Sequence, residues 1–110
     1  MKLPDQPFTV TDWMALEPVR YPGTTGFADW RTVAMGDIRL RHVTYSPDYL
    51  ADHWCDIGHI ALVLSGSIMV ELRDGRSFTL TKGMSFQVSS DGDAAHRLYT
   101  AAGADVFLMD

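Results

Sequence analysis

Residues 59–80 read HIALVLSGSIMVELRDGRSFTL, and this stretch decides the fold. Ile60 to Leu64 is the longest unbroken apolar run of the chain, of the length of a buried strand and far too short to cross a membrane. Ser65-Gly66-Ser67 breaks it and feeds a second run, Ile68 to Leu72. Asp74-Gly75, flanked by Arg73 and Arg76, is a two-residue hairpin signal because both residues tolerate positive φ. It joins the strand ending at Arg73 to one over Arg76–Leu80.

The same grammar extends in both directions. Downstream, Lys82-Gly83 marks a turn, and Met84, Phe86 and Val88 alternate with Ser85, Gln87 and Ser89 as a half-buried strand does. Ser90-Asp91-Gly92-Asp93 reads as the next turn. Ala95–Thr100 and Asp105–Met109 read as the last two strands, parted by Ala101-Ala102-Gly103-Ala104. Upstream, Ile38, Leu40 and His42 point one way and Arg39, Arg41 and Val43 the other. Short strands with turns at regular intervals predict an all-β sandwich or barrel.

Residues 1–30 differ, because Pro4, Pro7, Pro18 and Pro22 with Gly23 and Gly26 fragment any long element. Thr11–Glu17 predicts a helical turn or two, with Thr11 or Asp12 as N-cap. This segment is expected to be an arm packed on a barrel of residues 31–110 through Phe8, Trp13, Tyr21, Phe27 and Trp30.

The chain has 110 residues, 46% of them apolar and 21% charged, which suits one compact core. A formal charge of −5 repels phosphate backbones, so nucleic acid is not an expected partner. The first residues lack a signal-peptide apolar region, so a cytoplasmic location is expected. Cys55 is the only cysteine, so no intramolecular disulfide can form.

Three of the four histidines and this thiol fall at converging spacings. On a strand His53 and Cys55 share a face, Gly58 allows the bend that returns His59 to it, and His96 joins from a distant strand. Imidazole with thiolate suits zinc or iron, and also copper or nickel, and disfavours magnesium and calcium. Asp52 and Asp56 flank the cluster and are candidates to orient a ligating imidazole. Arg39, Arg41 and Arg97 are candidates to hold a carboxylate or phosphate, and His42 to carry a proton.

The pattern resembles the cupins. Their first motif has a paired His-x-His, a glutamate and a closing glycine; here His53 and Cys55 stand at the pair, His59 where the glutamate is expected, and Gly66 at the close. Gly75, Lys82-Gly83 and His96 resemble the second motif. The run Asp52-His53-Trp54-Cys55, with Tyr45-Ser46-Pro47 before it and Gly58-His59 after, is similar to the small DHCW-motif cupins. The resemblance implies a double-stranded β-helix, or jelly-roll barrel, with one divalent transition metal at its mouth, often paired into a homodimer. Two functions follow as alternatives: a metalloenzyme acting on a small polar or anionic molecule, or a non-catalytic binding or sensing module whose metal is closed off by three histidines and one cysteine.

Overall fold

The computed structural model describes residues 1–3, 5–90 and 95–110, so the expected turn at Ser90–Asp93 lies largely outside the described residues. The described residues form nine strands: β1 Val19–Pro22, β2 Phe27–Met35, β3 Ile38–Tyr45, β4 Tyr49–Leu50, β5 His59–Leu72, β6 Ser77–Thr81, β7 Ser85–Val88, β8 His96–Thr100 and β9 Ala104–Met109. All pairings are antiparallel, and the path runs β1-β2-β3-β9-β5-β8-β4, with β6 and β7 also on β5. This is the expected all-β architecture, curled around one core.

The expected break at Ser65-Gly66-Ser67 is instead the middle of the longest strand. β5 runs unbroken for 14 residues. Its first half pairs with β7 and β9 and its second half with β6 and β8, so one strand belongs to both walls of the barrel. The small polar residues mark a bulge, seen as a register shift between Val63 and Ser65, which bends the strand from one wall to the other. Gly66 has φ of +74°, and a Cβ there would lie 2.4 Å from the Gly103 carbonyl oxygen, so only glycine fits this bend. The hairpin forms around Asp74-Gly75, but with a three-residue loop in place of the expected two: Glu71 pairs with Ser77, the Gly75 amide donates to the Leu72 carbonyl, and Gly75 but not Asp74 takes positive φ, while Asp74 accepts a hydrogen bond from the Arg76 amide.

Alternation fills the core. Val43, Val63, Val106 and Ile68 are completely enclosed, drawn from β3, β5 and β9 with residues of one parity pointing inward. Ile60–Leu64 is therefore half-buried and not fully buried: Ala61 and Val63 face the core, while Ile60, Leu62 and Leu64 stand on the outer face. Met84 is likewise exposed, whereas Phe86 packs against the core.

Near the N-terminus the expected helical turn is a short 3-10 turn, Trp13–Ala15, capped by the Asp12 carboxylate accepting from the Met14 amide. Trp13 sets its edge against Phe107, Tyr21 against Trp30, and the Arg20 guanidinium covers Phe27. Phe8 corrects the expectation, since it is 95% exposed; its segment has no strand partner among the described residues. Strand pairing begins at Val19, within the stretch read as the arm.

Candidate metal centre

Two strand ends and one bridge bring the donors together. His59 opens β5 and His96 opens β8, on the strands that meet at Leu72 and His96. Cys55 is tied to His96 by a two-way backbone bridge, with amide-to-carbonyl distances of 2.8 and 3.0 Å. The ligating atoms of Cys55, His59 and His96 all lie within 4.8 Å of one another. His96 is buried and Cys55 and His59 are partly so.

The donor set fits a borderline or soft ion. His59 Nε2 and His96 Nε2 face each other at 2.6 Å, whereas two nitrogens of a tetrahedral ion with bonds of about 2.0–2.1 Å stand roughly 3.3 Å apart. A modest spreading of the two rings therefore accommodates a metal. Burial, reinforced by the charge His96 would carry and by Arg41, pushes the His59 pKa down to about 4, against the opposing pull of Asp110. His59 is thus a neutral imidazole near neutral pH, the form that ligates. Among the described residues its Nδ1 is buried without a hydrogen-bond partner, so none of their carboxylates orients this ring. Phe86 wedges edge-on against both imidazoles.

His53 does not join this group. Its side chain is 74% exposed, and its Nδ1 is 2.6 Å from Asp52 Oδ1; that bond, the largest cause, lowers the Asp52 pKa. Asp52 thus holds an exposed imidazole that lies outside the donor group. Asp56 is exposed. His53 lines a small cavity of about 100 Å³ with Cys55, His59 and His96. It also lines a larger one of about 470 Å³ that shares Trp30 and Tyr49 with the first.

The arginines and His42 separate by face. Arg41 lies on the inward parity with Val43 and Tyr45; its guanidinium stacks 4.4 Å from the Trp30 ring and lines the larger cavity. Burial, the largest cause, lowers its pKa. His42 has the opposite parity, pairs in register with Phe107 and lies 3.8 Å from Asp105, which takes it out of the cavity. Arg97 is engaged by Glu71 at 3.0 Å and by the face of Trp54.

Sequence reasoning missed Asp110, whose side chain is 5% exposed. It accepts from Arg39 Nε at 3.0 Å and lies 3.7 Å from Arg41. The signal was present, because Asp110 continues the inward parity of Val106 and Leu108. A third cavity, of about 360 Å³ and largely apolar, reaches His96 from the side of β6 and β7.

No protein-family model and no curated protein sequence matches the chain. Solved structures do match. An ectoine synthase from P. lautus superposes with a TM-score of 0.74 at 13% identity, over 93% of this chain and 76% of that one. An RmlC-like cupin from Shewanella frigidimarina gives 0.71 at 17%, over 94% and 90%. A sugar phosphate isomerase of the cupin superfamily from Silicibacter pomeroyi gives 0.65 at 12%, over 86% and 68%. At such identities the likeness is one of fold.

Proposed function

We propose that this chain, a cupin in its fold, is a metalloenzyme that acts on a small polar or anionic molecule. The observation that carries this reading is the gathering of Cys55, His59 and His96 beside a larger cavity, with His53 turned away to Asp52. Three protein ligands and an open position are the arrangement of catalytic metal sites, whereas structural sites close the shell with four. Zinc or iron suits these donors best, with copper or nickel also matching. When bound, such an ion polarises a substrate oxygen or lowers the pKa of a bound water. The chain's own residues supply the rest: neutral His59 and buried His96 hold nitrogens toward the ion, Phe86 excludes water from one side, and Trp30 and Tyr49 shape the approach. The names of two neighbours, a synthase and an isomerase, support an enzymatic use of the fold but do not choose the reaction.

Metal analysis with X-ray absorption on protein purified without added metal tests this. One sulfur, two nitrogens and additional oxygen ligands support an open site. One sulfur and three nitrogens would instead support the second reading, a closed site in which His53 swings inward and the protein is a binding or sensing module.

The same reading includes a homodimer in the cytoplasm. It is supported by Ile60, Leu62 and Leu64, 38–48% exposed in a row on the outer face of β5, with Phe107 and Met109 opposite Leu62 and Ile60. Light scattering should give twice the chain mass, and Leu62→Glu should halve it. A monomeric parent would refute this. Among the described residues no helix is long and apolar enough to cross a membrane.

A further inference from the structure

The larger cavity is lined by charge of both signs. Arg41 lines it with a side chain 13% exposed, and among the described residues its Nε is buried without an acceptor. The indole Nε1 of Trp30, whose ring lies under that guanidinium, is also buried without one. Asp110 does not resolve this, because its carboxylate is gripped by Arg39 at 3.0 and 3.2 Å and approaches Arg41 only at 3.7 Å. Two arginines thus share one carboxylate. Buried donors in native proteins are ordinarily satisfied; the Arg41 guanidinium, which lines the cavity and reaches Asp110 only at 3.7 Å, is matched in charge and shape by a ligand carboxylate.

The opposite requirement comes from the rim. Glu17 lines the same cavity, is exposed, and has no ion-pair partner among the described residues; Asp52 lines it too, beside His53. Tyr21 and Tyr49 line it as well. Carboxylates with aromatic faces favour a cation, and they would repel a ligand bearing only negative charge. A ligand bearing only positive charge would meet Arg41.

We infer that this cavity binds a small zwitterion, a molecule carrying both a carboxylate and a protonated amine, with its carboxylate on Arg41 and its amine toward Glu17 and Asp52. This rests on the reading of the adjoining pocket as a metal centre, and it names the substrate class. At about 470 Å³ the space lies within the range of small-ligand sites. Because Trp30, Tyr49 and His53 wall both cavities, a molecule held here lies next to the donor set.

The test is calorimetric titration of the metal-loaded and the metal-free protein with ω-amino acids of two to six carbons. Each is compared with the carboxylic acid and the amine of equal length. At least one amino acid should bind tenfold or more tightly than both its single-charge relatives. Arg41→Met should abolish that binding. Glu17→Gln, an exposed change that spares folding, should bring the amino acid down to the affinity of the plain acid. Equal binding of acid and amino acid, tighter binding of the amine, no binding of any member, or an unaltered Glu17→Gln profile would overturn the inference. Metal content measured on the same samples separates the two readings: saturable metal binding without zwitterion binding removes only this one, and absence of metal binding removes the one beneath it.

Discussion

Replacing Cys55 by serine separates a metal ligand from a small buried thiol. The backbone of Cys55 is fixed by its bridge to His96, and both of those hydrogen bonds belong to the main chain. A near-isosteric side-chain change should therefore leave the metal-free protein within about 0.5 kcal/mol of the parent. The effect should appear only with metal. Metal at 100 times its dissociation constant stabilises the folded parent by about 2.7 kcal/mol. For a chain of 110 residues the unfolding entropy is roughly 0.23 kcal/mol/K, so Tm should rise by about 12 °C. Loss of a ligand should weaken binding at least as much as loss of a ligand's hydrogen-bonding partner does, up to about 100-fold. At the same metal concentration the variant then gains only about 0.4 kcal/mol, or roughly 2 °C. Scanning calorimetry of chelator-treated parent and Cys55→Ser, each with and without zinc, reads all four values. A metal-induced rise in Cys55→Ser equal to that of the parent would refute the assignment of the thiolate.

His53→Ala should keep metal affinity within about threefold of the parent, because the ring is held outside the cluster by Asp52; a loss comparable to that in His96→Ala would support the closed shell instead. Stability of the metal-free protein should fall as pH drops from 6.5 toward about 4, the window between the ordinary and the lowered pKa of His59. In that window the unfolded chain takes up a proton that the folded chain refuses. The loss should be about 2 kcal/mol after allowance for solvent screening of a partly enclosed ring. Urea titrations at several pH values check it, with His59→Gln expected to flatten this limb and an unchanged slope counting against it. Gly66→Ala should cost at least about 3 kcal/mol, since positive φ is compounded by a collision with Gly103. Gly75→Ala, with nothing within 4 Å of its added Cβ, should cost only the backbone share of about 1–2 kcal/mol. Equal midpoints in denaturant for these two variants would contradict the bulge as the reason for the glycine.

Local chemistry was legible and tertiary choice was not. The hairpin at Asp74-Gly75 and the cap at Asp12 depend on residues within a few positions of each other, and both form, the hairpin with one loop residue more than read. Ser65-Gly66-Ser67 looked like an interruption because its residues punctuate strands. It forms a bulge because β9 and the β6–β8 wall grip β5 on either side. Alternation in β3 was equally plain, but alternation yields two faces without saying which is inner. Sharing a face with the apolar Ile38 and Leu40 left His42 a candidate for the cavity, but Phe107 pairs opposite it with Trp13 against that ring, and Arg41 takes the cavity. Spacing pointed to four ligand candidates together, and the fold gathers Cys55, His59 and His96 of them. His53 satisfied the same spacing, but its neighbouring carboxylate captures the ring, a competition that spacing does not weigh.

The continuity of β5 also bears on how long the native state lasts. Its ends lie in different walls, so the His59 end is fixed against β7 and β9 while the other end holds β8 and, through it, His96. The ligand trio is complete only after both walls have wrapped this one strand, which makes it a late product of a topology dominated by distant pairings. An ion held there would contribute little to the speed of folding. It would act on the way out, because the walls could not part around β5 without first surrendering the metal, and the dividend would be a slower unfolding rate.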